Sequence, residues 1–133
     1  MIYALDTNIT SYFIQGNRQV WAMLNKALEE KSTIIIPPAV YYEMWRGFKH
    51  KAAPRKEQAF VQMCKMYSIG EMGLSAWECV AEIYGASRKT GKPVEDTDIL
   101  IAAFCIVNGY TLVTHNTKHF GNIDGLQIVD WAE

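Results

Sequence analysis

Apolar residues fall along this chain in two patterns, short unbroken runs and longer stretches that recur every three to four positions. Ile2 to Leu5 is a short run closed by Asp6-Thr7-Asn8, residues suited to leaving a strand and opening a helix. Ser32 to Ile36 holds three consecutive Ile without polar alternation, the signature of a parallel strand covered on both faces. Pro37-Pro38 ends it and can begin a helix, because a first helical turn tolerates proline. Val40, Met44 and Phe48, with Tyr41 and Trp45, recur at helical spacing and predict a helix to about Lys51. Pro54 interrupts, and Ala59, Phe60, Met63, Cys64 and Tyr67 then mark one side of a second amphipathic helix. Ser75-Ala76-Trp77-Glu78 reads as a capping box, which predicts a helix from Ala76 to about Lys89, stopped by Gly91. A further helix is expected over Thr97–Asn108, ended by Gly109, with strands at Thr111–Thr114 and Leu126–Val129. Strands alternating with helices predict an α/β fold with a mainly parallel central sheet. With no repeat or linker, residues 1–133 are expected to form one domain, large enough to bury roughly two-thirds of its unfolded surface.

Charge refines this picture. Thirteen Lys and Arg stand against 14 Asp and Glu, a net charge of −1 that argues against a strongly basic nucleic-acid binder. The distribution is uneven, however: residues 1–93 carry 12 cations and 8 anions, and residues 94–133 carry 1 cation and 6 anions. Arg46, Lys49, Lys51, Arg55 and Lys56 occupy one eleven-residue stretch without a carboxylate. Cys64, Cys79 and Cys105 are odd in number and show no C-x-x-C spacing, so neither a zinc knuckle nor a disulfide framework is indicated, and a reducing cytoplasm is the expected location. The N-terminus has no cationic leader and the longest apolar run, Ile99 to Val107, is nine residues, so neither a signal peptide nor a membrane span is expected.

In an open parallel sheet, chemistry collects at the carboxyl ends of the strands. Asp6 ends the first strand, Glu43 lies near the start of the helix after the second, and Asp96 and Asp98 open the Thr97–Asn108 helix. Asp6 and Asp96 also suit ordinary N-caps, and Asp98 suits the dipole of a first helical turn. Four acids from three segments nevertheless converge on one edge. Gathered carboxylates repel one another, so such a site is expected to hold a hard divalent cation, Mg²⁺ or Mn²⁺ rather than Zn²⁺. His115 and His119 enclose no H-E-x-x-H motif and, with His50, read as surface or loop histidines. Phosphate-binding P-loop, dinucleotide and serine-hydrolase motifs are missing.

The strand-end Leu5-Asp6-Thr7-Asn8, the helical Glu43 in Ala39–Met44, the run Glu95-Asp96-Thr97-Asp98-Ile99-Leu100-Ile101-Ala102-Ala103 and the closing Thr111–Phe120 together resemble a PIN-domain ribonuclease, and more narrowly the VapC toxins of bacterial toxin–antitoxin pairs. The resemblance implies a three-layer α/β/α sandwich that hydrolyses RNA with Mg²⁺ or Mn²⁺. Asp6, Glu43 and Asp98 would be the metal-binding catalytic acids, with Asp96 beside them. Thr7, Asn8, Thr114 and Asn116 would line the site. Many PIN nucleases carry a further acid after the fourth strand, where this chain has Asn116. The resemblance also implies a homodimer and a cognate VapB-like antitoxin, forming a hetero-oligomer in which the antitoxin covers an apolar groove. Arg46, Lys49, Lys51, Arg55 and Lys56 are then expected to grip RNA phosphates, and the Met-rich helices between Val40 and Tyr67 to form the groove. Most aromatic residues are expected in the core or an interface, with Tyr41, Tyr42 and Trp45 flanking Glu43. Two other readings stay open on residues alone. One is a PIN-fold binding module with a weakened site, prompted by Asn116. The other is a receiver-like phosphoacceptor domain, although the adjacent acidic pair it wants after the first strand is missing.

Overall fold

The structure, a computed structural model, describes residues 1–133. Five strands form one sheet: β1 (Ile2–Leu5), β2 (Thr33–Ile36), β3 (Ser68–Ile69), β4 (Thr111–Val113) and β5 (Gln127–Val129). Their order is β3-β2-β1-β4-β5 and every pairing is parallel. Ala4 pairs with Ile35 on one side and Leu112 on the other, so β1 is the central strand. Thr111, Leu112 and Val113 are all buried, which requires a helical layer on each face of the sheet. From β1 the chain moves outward to β2 and β3, then crosses back to β4 on the opposite side. The order therefore reverses between β1 and β4, and the crevice beyond their carboxyl ends is where such sheets bind ligands. A receiver-like domain has the strand order 2-1-3-4-5, so this topology removes that reading.

Seven helices complete the fold: α1 (Thr7–Ile14), α2 (Arg18–Glu29), α3 (Pro38–His50), α4 (Pro54–Met66), α5 (Leu74–Lys89), α6 (Asp96–Asn108) and α7 (Thr117–Phe120). α1 packs against α2, α3 and α4, and α6 packs against α3, α5 and α7. α6 buries Ile99, Ile101, Ala102, Ala103, Phe104 and Cys105, nearly its whole circumference, as expected of a helix inside the fold. Phe104 lies so close to Gly70 that a Cβ at that glycine would overlap the ring. Tyr41, Trp45, Phe48 and Phe60 join α3 to α4 through ring contacts of 5.9–6.2 Å between centroids. The three cysteines are free, with Cys105 buried. No helix is long and apolar enough to cross a membrane.

The observed elements depart from the sequence reading in five places. The stretch after Asp6 holds two helices, separated at Gly16 (φ 82°), and Asn17 caps the second by accepting from the Val20 N–H at 3.0 Å. The Ser75 capping box does not form: Gly73 is the N-cap and Ser75 already lies inside α5, past the position from which a side chain caps the first N–H groups. α6 begins one residue early, with Glu95 rather than Asp96 at the cap. β3 and α7 are too short to leave a periodic signal. Finally, Val40, Met44, Phe60 and Met63 are buried core residues, so much of the stretch expected to form a partner groove is spent inside the molecule; Tyr42 and Met66 are its exposed large hydrophobic side chains.

Candidate active site

Asp6 follows β1 at the topological switch. Its backbone N–H donates to the Val113 carbonyl at 2.9 Å, which extends the sheet pairing by one residue and fixes the side chain's origin. One carboxylate oxygen accepts from the Thr7 N–H at 2.8 Å and caps α1; the other accepts from the Thr114 hydroxyl at 2.7 Å. The Asn116 N–H donates to that same hydroxyl at 3.0 Å, which leaves the Thr114 proton directed at Asp6. Asp6 is only 3% exposed. Burial raises its carboxyl above the usual range, the two hydrogen bonds oppose the rise, and the charge of Glu43 adds to it.

Glu43 reaches the same crevice from α3, where its Oε1 accepts from the Thr7 hydroxyl at 2.7 Å and its Oε2 faces Arg46 Nη2 at 3.3 Å. Asp98, in the first turn of α6, is pushed up to about 6, first by burial and then by the charge of Asp6, with smaller contributions from Glu43 and Glu95. His119 opposes this rise; its Nδ1 lies 3.6 Å from Asp98 Oδ2. Asp6, Glu43 and Asp98 therefore form one electrostatic unit drawn from three elements. Asp96 does not join it. It is exposed, and two residues along a helix are about 200° apart around the axis, so it points away from the side of α6 that carries Asp98. Glu95, three residues from Asp98, shares its side instead. Asn8 accepts from the His115 N–H at 3.4 Å, and His115 Nδ1 sits 2.9 Å from Asp130 Oδ2, so Asn8 braces the loop after β4.

A PIN-domain family profile matches residues 3–126. The chain belongs to the PIN-domain family. A relative named ribonuclease VapC1 from Haemophilus influenzae (strain R2866) is 27% identical over 138 aligned positions spanning all of both chains. Ribonuclease VapC2 from Rickettsia felis is 27% identical over 132 positions, covering 98% of each. Among solved structures, VapBC2 from Rickettsia felis bound to a promoter DNA fragment contains a chain that superposes with a TM-score of 0.91 at 26% identity, covering 98% of this chain and 99% of that one.

The donor set of this PIN domain is oxygen-only and suits a hard divalent cation. Mutually charged carboxylates of this kind gain most from a cation shared among them. No group of three His, Cys, Asp or Glu side chains yet converges tightly enough to grip an ion, since Glu43 is turned toward Thr7 and Arg46 and Asp98 toward His119.

The basic run separates in space. Arg46 contacts Glu43, but α3 runs away from the sheet edge at about 1.5 Å per residue, which carries Lys49 about 9 Å and Lys51 about 12 Å along the axis from Glu43. Lys49 rests over the Trp45 ring at 5.6 Å, and Arg55 and Lys56 open α4. The cations beside Asp98 are others: a cleft of about 280 Å³ is lined by Lys92, Glu95, Asp98, Lys118 and His119. The sequence assigns no role to Lys92 or Lys118 and reads His119 as a surface or loop histidine, because none of them stands in a run of cations along the chain. The only available signal was that His119 follows a strand end by five residues, within reach of the same sheet edge.

Proposed function

We propose that this PIN domain is a metal-dependent endoribonuclease and the toxin of a toxin–antitoxin pair. The observation that carries the reading is the buried Asp6–Thr114 hydrogen bond at the switch point, with Glu43 close enough to raise the Asp6 carboxyl and Asp6 close enough to raise that of Asp98. Kinship with proteins named ribonuclease VapC supports RNA as the substrate class. Asp6, Asp98 and Glu43 would hold Mg²⁺ or Mn²⁺, which when bound supplies charge neutralisation at the phosphoryl group and a more acidic water.

The chain's own residues do the positioning. Thr114 and the Thr7 N–H hold both oxygens of Asp6, and the Thr7 hydroxyl orients Glu43. Asp96 stands at the exposed rim, outside this acidic set. Lys92 and Lys118 offset the repulsion that an acidic site exerts on an incoming polyanion. Lys49, Lys51, Arg55 and Lys56 extend that attraction along the RNA strand, away from the cut.

The antitoxin is proposed to cover the apolar surface where Trp21 of α2 stacks on Phe13 of α1 at 5.0 Å and Phe13 meets Tyr67 at 6.4 Å, bordered by exposed Met66. A second copy is proposed to cover Leu74, Trp77 and Tyr84, which share an exposed side of α5. Such a toxin acts in the cytoplasm. The test is incubation of the purified, partner-free chain with total cellular RNA and either cation, with the new ends mapped by sequencing. Discrete new ends that vanish with EDTA are expected; intact RNA under every condition would leave a PIN-fold binding module as the better reading.

A further inference from the structure

The cleft beside Asp98 does not end at α7. It shares Lys92, Val94 and Asn122 with a second, open-mouthed cavity of about 310 Å³, lined by α5, Ile106 of α6 and the loop that carries Asn122 to Asp124. Ile83, Ala86, Ile106 and Ile123 supply apolar walls, and Glu82, Asn122 and Asp124 supply the polar groups. The volume lies at the lower end for small-molecule sites, which begin at about 300 Å³, and so admits one base with its sugar but not a stacked pair. Aliphatic walls of this kind can pack against the face of a base by dispersion contact. Two carboxylates accept hydrogen bonds only, whereas the Asn122 amide both donates and accepts. A phosphate cannot sit among those acids, but Lys92 stands at the junction of the two cavities, where a phosphate would lie between the pocket and Asp98.

We propose that this cavity is a nucleobase pocket, which takes one unpaired base of an RNA strand, reads its amino-bearing edge with Asp124, Glu82 and Asn122, and sets the adjoining phosphate on Lys92. Sequence-specific recognition of RNA generally targets bases turned out of the stack in this way. The pocket would thus choose which phosphodiester reaches Asp98. Adenine, guanine and cytosine carry amino donors for the two carboxylates and uracil does not, so uracil is the disfavoured occupant.

The proposal rests on the ribonuclease reading, yet its test needs no cleavage. The ¹⁵N-labelled full chain is titrated, without added metal, with AMP, GMP, CMP, UMP and ribose 5-phosphate while the amides of Ile83, Ser87 and Ile123 are followed by NMR. The three amino-bearing nucleotides are expected to shift these amides and to bind about tenfold more tightly than ribose 5-phosphate, the gain of about one net hydrogen bond to a carboxylate. Ala86→Trp, at an exposed helical position, should abolish the shifts with the rest of the spectrum preserved, and Asn122→Ala should weaken them should the larger residue disturb folding. Amides that stay still with every nucleotide, or that respond equally to UMP or ribose 5-phosphate, would overturn the pocket. RNA cut by a chain whose pocket amides never respond removes the pocket and keeps the nuclease; pocket shifts without cleavage do the reverse.

Discussion

Asp6 caps a helix and anchors the acidic site with one carboxylate, because the first N–H groups of α1 and the hydroxyl of Thr114 approach it from opposite sides. Thr114→Val should therefore lower cation affinity or cleavage by about 10- to 100-fold with the far-ultraviolet circular dichroism unchanged, and Thr114→Ser should restore most of the loss. Asp6 and Asp98 also make stability depend on pH. Their carboxyls are raised in the folded chain, Asp98 from 3.8 to about 6, so in that interval the folded chain holds protons that the unfolded chain has released. This contribution is present below about pH 4 and is lost as pH rises through about 6. Thermal unfolding in EDTA should accordingly show Asp98→Asn gaining on the native sequence as pH rises from 4 to 7, and saturating Mg²⁺ should erase that gain. Asp6 and Asp98 were legible in the sequence because strand ends and helix starts mark the functional edge. Asp96 was legible only as a neighbour, since its turn away from the site depends on the starting residue of α6. The approach of His119 to Asp98 joins positions 21 residues apart and left no local pattern.

Among the elements, long amphipathic or wholly apolar segments were readable, and short or terminal ones were not. α3, α4 and α6 follow from apolar spacing, and Gly109 ends α6 in the left-handed region (φ 70°) as its position after Asn108 implied. The capping-box motif misled because Ser75 and Glu78 have the right spacing two residues too late, while Gly73 turns the chain into α5 without a side-chain bond. Two-residue β3 has no periodicity to detect; what holds it is the Gly70 N–H donating to Ile36 at 2.8 Å and the Phe104 ring packed over that glycine. Gly70→Ala forces a methyl into the ring and should cost about 1–3 kcal/mol, read as a lowered denaturant midpoint with an unchanged m-value. Ala at Gly47, where nothing lies within 4 Å, is the matched control and should not destabilise.

At the scale of the whole molecule, a net charge of −1 hides a division between an acidic crevice and two groups of cations at different distances from it. Contiguity in sequence marked the Arg46–Lys56 run, and the fold then drew it down α3 and away from the crevice; Lys92 and Lys118, unremarkable in sequence, ended beside Asp98. Each single-strand phosphate contact adds about 0.7 to the slope of log affinity against log salt. Lys92→Ala with Lys118→Ala should flatten that slope by about 1.4 and also lower kcat, whereas neutralising Lys49, Lys51 and Arg55 together should flatten it with kcat preserved. The central claim is that Asp6, Glu43 and Asp98 at the β1/β4 switch form a cation-dependent site for cutting RNA. Its most direct measurement is the initial rate of RNA cleavage against Mg²⁺ concentration for the purified chain and for Asp98→Asn, both shown to be folded. The account predicts a saturable rise with Mg²⁺ for the native sequence and a loss of at least about a hundredfold in the variant; equal rates, or cleavage that persists in EDTA, would contradict it.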